Sequence, residues 1–469
     1  MSDNKTTIDV EAAEYDKRMD MLIAKMLLLG YKRNDYYNVD GVISPDGNTV
    51  IWFIKSNVEE NNWIQTPDLI GKTLKVIGGI NLKSTECMFY ACYAEKLDIT
   101  NLDTSKVTNM DGMFASCNSN IIGLDKLCVK NVKSMQNMFY GYEGSSLDLS
   151  NFDAPNLTEI NSMFSMCNLD ELDLKGFNTS NVDDMNSLFM GSIINKIDIS
   201  NLDTSNVTDM ANMFSSSRLN GLDLRYLKTG KCKIMRSMFA YCKIKELDFS
   251  NFDTSNVITM SDMFDNCNIE KLDLSSFDTS NVENMAYMFQ YCTAYEINVR
   301  SFNTSKVTNM NYMFKSTHLK ELDLSSFNTS NVLNMDNMFD CCIVPELDLS
   351  NFKTGNVRTM TKMFETAIID KLNLSNFDTS NVESMYNMFY EFTTDKLDLS
   401  SFNVSNARYL VQMFALCNIK ELDIRSFKIH ENANTSDIFY KSNIGKKHLT
   451  WSQRLQGLLG AIIGGITYE

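Results

Sequence analysis

Histidine, proline and positive charge are scarce in this chain, and each scarcity closes off a class of explanation. None of the three histidines, His318, His430 and His448, has a repeat-slot Cys or Asp partner predictable from spacing. Neither a zinc centre nor a hydrolytic triad is therefore legible. Four prolines leave little material for extended linkers. Lys and Arg number 43 against 59 acidic residues, for a net charge of −16. Such a balance argues against nucleic acid, which needs clustered cations on its phosphates, and against anionic lipid. No apolar run approaches the roughly 20 residues of a bilayer-crossing helix. The longest, LLGAIIGGI at 458–466, is about half that, and MSDNKTTIDVEAAEYDKR has neither a secretory apolar core nor a lipid-attachment Cys. The triplet Gly71-Lys72-Thr73 has Thr66 where a phosphate-binding loop needs glycine. Together these absences point to a non-enzymatic protein, with no cofactor, no metal and no transmembrane segment implied.

What the chain has in abundance is repetition. The stretch LDLSSFDTSNVENMAYMFQYC at 272–292 returns every 25 residues, and its Phe recurs without insertion or deletion from Phe89 to Phe439, fifteen copies in all. A fixed period of this length marks a solenoid, in which each unit buries its apolar face against its neighbours. Each repeat opens on alternating apolar residues such as Leu272 and Leu274, the mark of a short strand. After the polar corner Asp-Thr-Ser-Asn come Val282, Met285, Met288 and Phe289, whose spacing predicts one face of a short helix or 3₁₀ turn. The expected fold is an α/β repeat solenoid of leucine-rich-repeat type, with about 15 coils stacked at about 4.8 Å over about 70 Å. The bulk of the helices would curve the array and put its sheet on the concave side.

Three regions follow. Residues 1–70 combine a helical pattern (Met19, Leu22, Ile23, Met26, Leu27) with two β-prone runs around Pro45-Asp46-Gly47-Asn48, predicting a small α+β unit or cap. Residues 71–442 are the solenoid, degenerate in its first repeat. Residues 443–469 are expected to cap its last edge, an amphipathic membrane anchor being the alternative.

Several repeat slots have a readable purpose. Eight of the twelve cysteines (Cys92, Cys117, Cys167, Cys242, Cys267, Cys292, Cys342, Cys417) share a slot filled elsewhere by Ser, Thr or Ala, which marks a small buried position holding reduced thiols. That usage favours a reducing compartment. Asn206, Asn256, Asn281, Asn331 and Asn381 occupy an asparagine-ladder slot, interrupted by Lys106, Lys231 and Lys306. Thr204, Thr254, Thr279, Thr304 and Thr329 form a hydroxyl column that raises ice or crystal-surface binding as a competing class.

The most informative slot lies between the strand leucines. Asp148, Asp173, Asp198, Asp223, Asp248 and Asp273 are consecutive, and Asp323, Asp348, Asp398 and Asp423 continue the column. Strand alternation points them to the open face. Unit charges about 5 Å apart in water repel by roughly 0.8 kcal/mol, so something should offset them. Lys175, Arg225, Arg300 and Arg425, two residues later, are placed to do so. These aspartates, with Arg225, Arg300 and Arg425, are the candidate partner-binding residues. A linear ladder of this kind does not supply the oxygen cage of a Ca²⁺ site.

The unit L-D-L-S-x-F-D-T-S-N-V-x-x-M-x-x-M-F resembles the BspA-like leucine-rich-repeat family over residues 72–442. The resemblance implies a non-enzymatic array in a surface or secreted protein that adheres to cells or hosts. Unlike surface members, this chain shows no signal peptide, lipoprotein Cys or wall-sorting motif, so the resemblance and the thiol pattern favour different locations. The expected function is an interaction scaffold binding a protein or cell-surface partner through the acidic concave sheet. The alternative is a structural spacer or particle component that acts through its terminal regions.

Overall fold

A computed structural model describes residues 3–33, 39–58, 69–244 and 247–448. Of the expected C-terminal cap over 443–469, residues 449–469 lie outside the described residues. The chain forms two compact units, Met1–Lys231 and Cys232–Glu469.

The first unit opens with helix α1 (Asp3–Leu28), followed by strands β1 (Lys32–Arg33), β2 (Asp40–Ile43) and β3 (Thr49–Ile54). The hairpin predicted around Pro45–Asn48 is present, with β2 and β3 antiparallel. Met19 and Ile23 of α1 pack on Val42, Ile51 and Phe53. Asp16 accepts from the Ser56 backbone N–H at 2.8 Å and its hydroxyl at 2.7 Å, fixing the helix to the end of β3. From β3 onward the pairing is parallel, first to β4 (Thr73–Gly78), then β5 (Lys96–Leu102) and β6 (Asn120–Ile122). The second hairpin strand is thus also the first rung of the ladder, and Trp52 stacks on Phe89 with ring centroids 6.5 Å apart.

Each unit is a β-solenoid with a 25-residue coil. In the first unit Leu147 is in register with Leu172, and in the second Leu347 with Leu372 and Leu397 with Leu422. A second parallel line of single bridges runs through the third residue after the corner: Ser84, Asn109, Ser134, Glu159, Asp184 and Asp209 in the first unit, and Ile234 to Asn434 in the second. Inside, the slot Val, Met and Phe side chains are buried. The Phe rings form a stack in each unit, with centroids 5.4–6.0 Å apart from Phe89 to Phe214. From Phe239 to Phe439 the spacing is 5.1–5.9 Å.

The helix expected in each repeat is not there. Among the described residues α1 is the only α-helix, and the Met-Phe segments are runs of β-turns. Their amides alternate between two destinations. Met213 N–H bonds Met210 O and Ser215 N–H bonds Asn212 O inside the coil, whereas Phe189 N–H bonds Met213 O and Gly191 N–H bonds Ser215 O in the next coil. A helix would keep all of these bonds to itself. The residues two before and two after each Phe adopt positive φ, as at Asn212 (56°) and Ser216 (59°), which reverses the chain between turns. Consecutive turns also bring every third side chain inward, so the i, i+3 spacing was compatible with either structure. The architecture is a β-solenoid rather than α/β, and the expected cause of curvature, a thick helical layer, falls with the helices.

Candidate functional site

Each slot aspartate ends a strand and starts a turn. Asp148, Asp173, Asp198, Asp223, Asp248, Asp273, Asp323, Asp348, Asp398 and Asp423 all accept, through Oδ1, the backbone N–H two residues on, at 2.9–3.1 Å. This Asx turn is why the slot requires a short side chain with an oxygen. It also answers the repulsion argument, because a peptide N–H stabilises each carboxylate locally. Hydrogen bonds from Ser150, Ser275 and Ser325 hold Asp148, Asp273 and Asp323 below the usual carboxylate range, as the Ser200 backbone N–H does for Asp198. Most of the ten are exposed or half-buried, as strand alternation predicts, but Asp423 is buried.

The predicted cations offset this column in two ways. Arg225 and Arg425 fold back on Asp223 and Asp423 of their own turns, with Nη2 at 2.7 Å and 2.6 Å from Oδ2. Arg300 reaches forward to Asp323 of the next coil at 2.9 Å. Lys175 lies 3.8 Å from Asp173.

The column lines a cleft in each unit. In the first, about 470 Å³ opens between β6 and β7 (Glu143–Asp148), rimmed by Glu95, Asp125, Glu143 and Asp148. Here Tyr142 stands in the slot that holds Cys117 one coil earlier, and its hydroxyl donates to Ser119 O at 3.0 Å. Burial pushes the Tyr142 phenol well above its ordinary range. A Cβ at Gly144 would lie 2.7 Å from the Tyr142 ring, so only glycine fits beside it. In the second unit a cleft of about 340 Å³ is lined by Asp348, Asn373 and Asp398 of the slot, together with Asp370, Lys371, Asp395 and Lys396.

The other slots are structural. The ladder asparagines donate from Nδ2 to a carbonyl of the preceding coil, for example Asn206 to Ser180 O at 2.7 Å and Asn281 to Ser255 O at 2.7 Å. Where lysine interrupts the ladder its ammonium donates instead to the previous asparagine, as Lys231 does to Asn206 Oδ1 at 2.6 Å. The Thr column is buried to within 1%. Its hydroxyls bridge to the next coil: Thr204 donates to Lys228 O at 3.0 Å and accepts from Lys228 N–H at 2.7 Å. A surface-binding hydroxyl ladder is excluded by that burial. The slot cysteines are buried, and burial pushes Cys292 up to about 11 and Cys167 and Cys342 to about 12.

Reading the sequence by slots missed the outer side of the Met-Phe turns in the second unit. There Asp262, Asp265, Lys315, Asp340, Lys362 and Glu365 sit beside Tyr241, Tyr287, Tyr291 and Tyr312. Tyr287 and Tyr312 stack at 4.6 Å, and Lys315 Nζ lies 5.3 Å over the Tyr312 ring. The available signal was the appearance of charged residues at positions that are uncharged throughout the first unit.

Residues 83–192, 165–275, 235–346, 265–369 and 344–451 match the family described as "Mycoplasma protein of unknown function, DUF285". The matches span most of the chain, which belongs to this family. No curated protein and no solved structure matches the chain. Among the described residues no helix is long and apolar enough to cross a membrane.

Proposed function

We propose that the protein is a non-enzymatic interaction scaffold that presents its carboxylate column to a basic protein or cell-surface partner. The observation that carries this reading is the pre-orientation of the column. Each slot aspartate is held by its own turn, so a partner meets fixed charges and little ordering entropy is lost on binding. Support comes also from the two clefts, one lined by Asp148 and the other by Asp348 and Asp398. The finer BspA-like resemblance supports adhesion to a cell or host as the setting.

The test is binding of the purified full chain to intact cells, compared with a triple variant Asp148→Asn, Asp348→Asn and Asp398→Asn. Asn keeps the Asx turn and removes the charge, so the fold survives. Loss of cell binding supports the column as the contact; unchanged binding rejects it. The second reading, a spacer acting through its ends, draws on the docking of α1 and the hairpin over the first rung. Removing residues 1–48 would then abolish association while the triple variant binds normally.

A further inference from the structure

On the outer side of the second unit's turns, the residue after each Phe forms a column: Ala240, Asp265, Gln290, Lys315, Asp340 and Glu365. Three members are carboxylates with little exposure, and two of them hold an ammonium. Asp340, with a side chain 4% exposed, lies 2.8 Å from Lys315 Nζ, and Glu365, 13% exposed, lies 2.8 Å from Lys362 Nζ. The third is Asp265, which is 8% exposed and whose Oδ1 is buried without a hydrogen-bond partner. Its neighbours in the column, Ala240 and Gln290, carry no charge. Arg236 acts on Asp262 rather than on Asp265, and no described cation lies within ion-pair distance of Asp265.

The surroundings suit an ammonium. Tyr241 and Tyr291, both well exposed, stand one coil to either side of Asp262, Asp265 and Asn266. Tyr241 N–H bonds Asp265 O at 2.7 Å, and Asn266 N–H bonds Gln290 O at 2.7 Å beside Tyr291. The Tyr241 phenol also faces the Asp265 carboxylate. Two coils further on, Lys315 shows the mode of binding, with its ammonium over the Tyr312 ring and against Asp340. All of these tyrosines adopt positive φ, as do Asp262 and Asn266, a backbone state that disfavours large side chains.

We propose that Asp265, with Asp262, Tyr241 and Tyr291, is a receptor for a lysine side chain of a partner protein, separate from the strand-face column. An ammonium seated between the exposed phenols neutralises the Asp265 carboxylate and lies against ring faces. A divalent metal would need more oxygens than this turn offers. A tyrosine-rimmed charged centre is also the composition of a protein interface.

The test uses the full chain and the peptide Gly-Ser-Lys-Ser-Gly, with acetyl-lysine and arginine versions, followed by saturation-transfer NMR. The lysine peptide should bind, its acetylated form should not, and the arginine form should bind more weakly. Asp265→Asn should weaken lysine binding about tenfold or more. Tyr241→Asn and Tyr291→Asn, which keep a residue tolerant of positive φ, should each weaken it about threefold. The control Glu171→Gln, an exposed carboxylate of the first unit outside both sites, should bind as the parent does. Equal loss in that control, or full binding by Asp265→Asn, overturns the proposal, as does equal binding of acetyl-lysine. Arginine binding as tightly as lysine overturns the lysine assignment. Should Asp265→Asn fail to fold, full lysine binding by both tyrosine variants overturns the site. Failure of the strand-face reading leaves these outcomes unaffected.

Discussion

The first unit contains six coils counted by their Phe residues and the second nine, built on the same interior and the same hydrogen-bond pattern. They differ on the outside of the Met-Phe turns. At the three outward slots (two before, one after and two after the Phe) the first unit has no charged residue in eighteen positions, whereas the second has nine in 27. The backbone does not respond to the change: Ser162 and Ser187 show φ of 56° and 58°, Asp262 and Tyr287 58° and 61°. A left-handed residue other than glycine costs of order 1 kcal/mol, and the cost is met equally in both units because buried Met and Phe and inter-coil amides dictate the path. The scaffold therefore separates two tasks. Its interior specifies the coil, and its turns can be rewritten for recognition.

If the interiors are equivalent, truncating one ring in either unit should cost the same. Phe164→Ala and Phe289→Ala should each remove about 3–5 kcal/mol, read by urea unfolding with hydrogen exchange to assign the loss to a unit. A large difference would break the equivalence. The turn faces should then diverge. Lys315→Met strands Asp340, nearly all of which is buried, and should cost about 3 kcal/mol. The first unit has no charged pair at its outward Met-Phe turn slots, and Lys196→Met, which removes its exposed strand-side pair with Glu171, should leave the melting temperature unchanged.

Acid sharpens the contrast further. Burial pushes Asp265 up to about 6, against an ordinary value of 3.8. Between those values the folded state binds more protons than the unfolded one, so this group adds stability as pH falls from about 6 to 3.8. Asp148 and Asp198, held low by hydrogen bonds, act oppositely and lose their contribution as pH falls below 3.8. In pH-dependent unfolding, Asp265→Asn should flatten the rise in the second unit's stability between pH 6 and 4. A profile identical to the parent would show that Asp265 is solvated. The column itself should respond only slightly. Asp198→Asn keeps the Asx turn and should shift stability by no more than about 0.5 kcal/mol, whereas Asp198→Ala should cost about 1 kcal/mol.

The period, the coil boundaries, the buried Cys slot and the asparagine ladder were all legible from residues alone, because a repeat states each position up to fifteen times. Asp148 to Asp273 were also correctly placed on the open side of the strand. Their reason was not visible, since an Asx turn depends on the backbone two residues on, and Asp423 is buried where its column is otherwise open or partly so. The Thr column read as exposed because hydroxyls are polar, yet each one is consumed by the next coil's backbone. Tyr142 and Gly144 signal their cleft only as a pair that breaks two slots at once.

The sequence by itself determined that this protein is a solenoid of 25-residue coils with an acidic column and an apolar Met-Phe interior. Periodicity and burial preference are properties of the chain that survive without coordinates. Only the tertiary structure decided that each coil closes by β-turns rather than by a helix, because side-chain spacing does not say where the backbone amides go. It alone paired Lys315 with Asp340 and Lys362 with Glu365, and left the Oδ1 of Asp265 without a hydrogen-bond partner. Those residues are 25 or more positions apart or separated by a turn, and stacking is what brings them into one field.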